Sequence, residues 1–321
     1  MTGSALLILN RASGTGHTAQ IVDQLSDALR SGHGSKLEVE AMVVDSHPEA
    51  RSAAAEFAKF GSRPSLLLAA GGGGTLRAVV EGVMDAFPSA PPAADVLRLA
   101  ALRMGSGNVV AGRLGMPIDP VAAARQVGEG LARNVTAACG VIRCAHGHPD
   151  GGTATRYAVT MCGLGEWGRV PGDIARWRER HATGRKRAAS WIGLERVNKI
   201  EYLAFGATRM LAGTVSASRC EMVEIDGRRK MRLLAAVALN LPLPPLPDPG
   251  VAMGDEAVGV IVVPRLGRPF RRRLEAGDTF AVRFLDRDSV EFFLDEDPER
   301  ATGWLELEVA GVLAFVPGRA A

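Results

Sequence analysis

Residues 65–82 read SLLLAAGGGGTLRAVVEG, and they restrict the fold more than any other stretch. A short apolar run stops at four glycines, Gly71 to Gly74, and apolar residues at helical spacing follow. An apolar run of this length, bounded by glycine, reads as a strand buried on both faces. Such strands belong to parallel sheets covered by helices. Glycines in the turn let backbone N–H groups approach an anion closely, and the next helix adds about half a positive charge at its start. The stretch predicts a phosphate cradle. The four glycines carry no acid, so the turn can hold a phosphoryl group without bringing a carboxylate to the chemistry.

The neighbouring segments repeat the alternation. ALLILN, LEVEAMVV, SLLLAA and LRLAAL read as strands, and HTAQIVDQLSDALR, EARSAAAEFAKF, TLRAVVEGVMDAF and PVAAARQVGEGLA as helices. The last of these opens on Pro120 with Asp119 ahead of it as a cap. Near residue 135 the texture changes. VTAACGVIRCA and RYAVTMCG flank a turn-rich loop, a helical region covers about 171–212, and SRCEMVEI and MRLLAAVALN surround an Asp-Gly turn. VGVIVVP, TFAVRFL, SVEFFL, LELEVAG and LAFVP complete a mostly antiparallel set. The expectation is an α/β fold in two domains. Residues 1–134 form a doubly wound parallel-sheet domain. Residues 135–321 form a β-rich, sandwich-like domain with a helical insertion, its final segment free to pack back on the first.

Composition narrows the function. A formal net charge of +3 over 321 residues gives no global field for nucleic acid. Cys139, Cys144, Cys162 and Cys220 form no C-x-x-C pair, which favours reduced thiols in a cytoplasmic protein. The first residues lack the charged leader and apolar core of a signal peptide, and no apolar run approaches the roughly 20 residues of a membrane span. Cys144, His146 and His148 lie close in sequence but lack a fourth zinc ligand.

Three unusual turns each follow a predicted strand: Asn10 to Gly14, Gly71 to Thr75, and Gly105 to Asn108. In an open parallel sheet, ligands bind at the carboxyl ends of strands. Ser13, Thr75, Ser106 and Asn108 can add side-chain hydrogen bonds to a phosphate held there. The pattern is neither a P-loop nor a dinucleotide fingerprint, because it has no Gly-Lys-Ser/Thr and no G-x-G-x-x-G after the first strand.

NRASG, GGGGTLRAVVEG and GSGNVVAGRLGMP, in this order and spacing, resemble the catalytic domain of diacylglycerol kinases, including bacterial lipid kinases and sphingosine kinases. They resemble the NAD kinases more distantly. The likeness continues weakly through CGLGEWGRV, ERVNKIEYLAFGATRMLAG, AAVALN and FLDEDPER. It implies ATP and Mg²⁺ as cofactors, with nucleotide held by Asn10, Ser13, Gly14, Gly72, Gly74, Thr75, Gly105, Ser106, Gly107 and Asn108. It implies a lipid such as diacylglycerol as acceptor, Asp255 as a metal ligand and Asp295 as the candidate general base. The chain departs from the pattern at several points. The acid of the family's Gly-Gly-Asp-Gly-Thr falls on Gly73. An Asp of a later segment falls on Trp167, beside Glu166. LPLPPLPDPG replaces a glycine-rich stretch, and Asp295-Glu296-Asp297 stands where the family has Asp-Gly-Glu.

Arg176, Arg178, Arg180, Arg185, Lys186, Arg187 and Arg196, interleaved with Trp177 and Trp191, form a basic insertion. It reads either as a solvated helical face or as a contact of residues 173–196 with anionic membrane. Arg265, Arg268, Arg271, Arg272 and Arg273 form a second cluster. Two functions stand: a lipid kinase with impaired turnover, and a degenerate relative that binds nucleotide or lipid. NAD kinase is weaker, because its additional Asn-Glu signature is not evident.

Overall fold

The computed structural model describes residues 3–11, 19–34, 37–61, 64–105, 108–181, 194–244 and 246–318. The chain divides into two compact units, Met1–Cys139 with Gly311–Ala321, and Gly140–Ala310.

In the first unit, β1 (Gly3–Asn10), β2 (Leu37–Val44), β3 (Ser65–Gly71) and β4 (Leu97–Arg103) pair in parallel in the order β2-β1-β3-β4. Every residue of β3 is buried, as its unbroken apolar run requires. Helices α1 (Ala19–His33), α2 (His47–Phe60), α3 (Gly73–Ala86), α4 (Val109–Arg113) and α5 (Pro120–Ala132) connect the strands or follow the last. The Asp119 side chain accepts from Ala122 N at 2.6 Å, so α5 starts as its sequence predicts. Helices α2 and α3 pack very closely. A Cβ at Gly82 would fall 2.3 Å from the Arg51 carbonyl oxygen, so this motif glycine serves helix packing.

In the second unit the sheet is antiparallel. It contains β5 (Ala137–Gly147), β6 (Thr153–Ala158), β7 (Met161–Gly165), β8 (Glu221–Ile225), β9 (Arg229–Leu239) and β10 (Val258–Pro264). It continues with β11 (Phe270–Leu274), β12 (Thr279–Phe284), β13 (Ser289–Leu294), β14 (Asp297–Thr302) and the residues of β15 (Trp304–Phe315) as far as Ala310. The strand order is β14-β13-β7-β9-β8-β12-β15, with β10 against β9 and β11, and β6 against β5. Phe280, Phe292, Leu294, Val260 and Leu305 lie in its core. The Asp-Gly turn between β8 and β9 has Asp226 and Gly227 both at positive φ. The helical insertion is α6 (Val170–Arg180) and α7 (Leu194–Val215).

Three segments differ from the sequence expectation. RYAVTMCG is not one strand: β6 ends at Ala158 and β7 begins at Met161, with Val159 and Thr160 connecting them. FRRRL and DPERAT, which carry too few apolar residues to read as strands, are β11 and β14. LELEVAG and LAFVP are one continuous strand, β15.

Candidate nucleotide and acceptor sites

In the first unit, the sheet order sets the turns after β3 and β4 side by side. Gly72 and Gly105 meet backbone to backbone. A Cβ on Gly105 would fall 2.1 Å from the Gly72 Cα, which no side chain permits. Gly72 is the N-cap of α3 and makes no side-chain cap, and helix geometry gives the next N–H groups no intrahelical partner. Gly73 and Gly74 lie in that first turn. A Cβ at Gly73 would meet nothing within 4 Å. Thr75 is buried, its hydroxyl turned back on the end of β3.

Asn108 has a local role. Its Oδ1 accepts from Gly105 N at 3.0 Å and its Nδ2 donates to Gly105 O at 2.6 Å. With φ at 51°, it clamps the turn after β4 in a left-handed bend. Asn10 ends β1, beside Val44 of β2. Ser13, Gly14, Ser106 and Gly107 lie outside the described residues.

A buried ionic cluster supports α3 from behind. Glu81 is fully buried and meets His47 at 2.9 Å, Arg51 at 3.1 Å and Arg77 at 3.3 Å. Arg77 is itself 2% exposed. Burial alone would push the Glu81 carboxyl up. The His47 hydrogen bond and the two guanidinium groups outweigh it and bring the pKa to about 2. None of these residues stood out in the sequence, although Arg77 and Glu81 share the i, i+4 spacing of a helical ion pair.

In the second unit, Asp295 and Glu296 form the two-residue turn between β13 and β14, where Leu294 pairs with Asp297. Asp295 is 4% exposed and has φ at 57°. Its carboxylate accepts from the N–H groups of Val159, Thr160 and Met161 and from the Thr160 hydroxyl, at 2.6–3.2 Å. The connection between β6 and β7 is gripped from the other side by buried Asn240, whose Nδ2 donates to Val159 O at 2.7 Å. Sequence reading missed Thr160 and the role of Asn240.

Glu296 has no hydrogen bond or ion pair to any described residue, and its side chain is half-buried. Burial pushes its carboxyl upward; Arg178 opposes this and Asp295 and Asp297 add to it. Arg178 of α6 is fixed by Glu201 at 2.7 Å and Asn198 at 2.9 Å, both on α7. The half-buried Tyr202 phenol feels the Glu296 charge, and its pKa is raised, by burial first.

The remaining acids are committed elsewhere. Glu166 is fully buried against Arg169 at 2.7 Å and Arg209 at 3.4 Å. Asp255 accepts from Ala252 N at 2.9 Å and sits 3.6 Å from Arg273. No three His, Cys, Asp or Glu side chains among the described residues are grouped to hold a metal ion. Many of the arginines are paired as well: Arg176 with Asp173, Arg178 with Glu201, and Arg272 with Asp226. Arg185, Lys186, Arg187 and Trp191 lie outside the described residues, as does the side chain of Arg196. No described helix is long and apolar enough to cross a membrane.

A parallel unit with touching glycine turns, followed by a β-rich unit, is the architecture that diacylglycerol kinase-like structures share. Residues 4–139 match the family model of the diacylglycerol kinase catalytic domain, a family of kinases that use ATP. No curated protein sequence matches the chain. The fold is similar to a crystal structure of a diacylglycerol kinase from Bacillus anthracis str. Sterne, with a TM-score of 0.58 and 14% identity over 98% of this chain and 96% of that one. A second structure from the same organism, described as a candidate diacylglycerol kinase, gives a TM-score of 0.61, also at 14% identity and with the same coverage.

Proposed function

We propose that the protein transfers the γ-phosphoryl group of ATP to the hydroxyl of a diacylglycerol-like lipid, with turnover reduced by the glycine at position 73. The observation that carries this is the backbone contact of Gly72 with Gly105 beneath the open first turn of α3. Backbone N–H groups of Gly73, Gly74 and Thr75 then face the nucleotide phosphates, and Asn108 holds the second turn in shape for the same ligand. Phosphoryl transfer depends on positioning and on neutralising charge. The Mg²⁺ that the resemblance implies does not fit the side chains described. Gly73 offers no oxygen donor, and Asp255 is occupied by Arg273. The acceptor belongs to the second unit, around the turn from Asp295 to Asp297.

Phosphate transfer from labelled ATP to diacylglycerols, monoacylglycerols and sphingoid bases tests the reading. The native protein is expected well below ordinary kinase rates of roughly 1–100 per second. Gly73→Asp is expected to raise turnover, because its Cβ enters free space. The same open space favours a second reading, a relative that binds nucleotide without turnover. ATP binding by calorimetry, with no transfer even in Gly73→Asp, would select it.

Contact with an anionic membrane is part of the proposal. Among the described residues, Arg268 and Arg271 are exposed and carry no ion pair, so their charge is available to headgroups.

A further inference from the structure

The resemblance assigns the acceptor's proton to Asp295, but the structure gives that carboxylate another task. Four donors from Val159, Thr160 and Met161 surround it, and they are the groups that shape the connection between β6 and β7. A carboxylate accepting several backbone N–H bonds is a poor base, because each bond stabilises its charged form. The next residue occupies the position where the family has a turn glycine. Glu296 is on the same two-residue turn, half-buried and within reach of solvent, and no described residue hydrogen-bonds it.

On the lipid-kinase reading, we infer that the turn divides the work of one acid between two residues: Asp295 fastens the β6–β7 connection, and Glu296 takes the proton from the acceptor hydroxyl. The step balances. The acceptor O–H bond breaks and its proton passes to the Glu296 carboxylate. The oxygen's electron pair forms the new bond to the γ-phosphorus, and the bond from that phosphorus to the bridging oxygen breaks, its pair leaving on ADP. The charged groups facing Glu296 are Arg178 of α6, Asp295 and Asp297 of the turn, and the phenol of Tyr202 on α7. Arg178, held by Glu201 and Asn198, draws the Glu296 carboxyl down, and burial outweighs it. Burial, with Asp295 and Asp297, holds the Glu296 carboxyl above the usual glutamate range. A carboxyl raised in this way is a better base than an ordinary glutamate.

The test measures diacylglycerol phosphorylation and thermal unfolding of the full chain, native and Gly73→Asp, each combined with Glu296→Gln, Glu296→Asp or Asp295→Asn. Glu296→Gln is expected to lower kcat about 10²- to 10⁴-fold, leaving the KM for ATP and the melting temperature in place. Glu296→Asp should recover part of the rate. Asp295→Asn is expected to lower the melting temperature by several degrees. The parent's rate should rise with pH through an inflection above the ordinary glutamate range, and Glu296→Gln should lose that limb. Turnover that survives Glu296→Gln, or that falls in Asp295→Asn at an unchanged melting temperature, overturns the division while leaving the kinase reading intact. No phosphorylation in either background defeats the kinase reading, and the inference with it.

Discussion

At Gly105 a single methyl group would fall 2.1 Å from the Cα of Gly72, the N-cap of α3. At Gly73, one residue further along, the same methyl meets nothing within 4 Å. Gly105→Ala must therefore push two turns apart, whereas Gly73→Ala only shortens the reach of solvent. Calorimetry with ATP is expected to give no detectable binding for Gly105→Ala and near-native binding for Gly73→Ala. Equal binding by both would show that the touching turns do not form the phosphate cradle. The glycine run was visible in the sequence, but the difference between its members was not. It depends on which residue faces the turn from the next strand, and a linear pattern carries no such partner.

The pairing of α2 with α3 rests on charge as much as on apolar contact. Glu81 ionises at about 2 in the folded chain, against 4.5 for an ordinary glutamate. Because the folded value is the lower one, the stabilisation is fully present above pH 4.5 and is lost as the pH falls towards 2. By linkage it amounts to about 3 kcal/mol. Acid unfolding monitored by circular dichroism should therefore show a component in that window, absent from Glu81→Gln. Glu81→Ala removes the carboxylate that His47, Arg51 and Arg77 share in the buried cluster and is expected to cost about 3–5 kcal/mol. A variant as stable as the native protein at neutral pH would contradict this. The helix itself was legible from its apolar spacing. Its buried pair was not, since Arg77 and Glu81 look like ordinary solvated charges until the packing of α2 covers them.

Across the whole molecule, legibility follows the distance over which each pattern is written. The first unit repeats a local theme, apolar strand, turn and amphipathic helix, and its strands β1 to β4 are legible as apolar runs in the sequence. In the second unit, β11 and β14 are strands because β10 and β13 lie beside them, and their own charged sequences give little sign of it. The acceptor turn was partly legible: resemblance picked out Asp295, but the hydrogen bonds from Val159 to Met161 span about 135 positions. The charge of the chain is dispersed in a similar way. Many of the clustered arginines meet acids from other elements, so membrane attraction should depend on the few left over. Sedimentation with vesicles rich in anionic lipid is expected to weaken for Arg268→Glu with Arg271→Glu, and at raised salt. Equal binding to neutral vesicles would remove the electrostatic account.

The path of the chain also sets an order of events during synthesis. Phe315 pairs with Leu99 of β4, and Val316 N donates to Leu99 O at 2.8 Å, so the parallel sheet gains its last strand from the far end of the polypeptide. Between Cys139 and Gly311 the ribosome must make the entire second unit. At roughly 5–20 residues per second, this takes about ten to thirty seconds. Throughout that interval the edge of β4 stands unpaired, the kind of edge on which nascent chains aggregate. The first half of the protein is written early but can be finished only late, and a chaperone holding that edge would find it bare for most of the chain's translation.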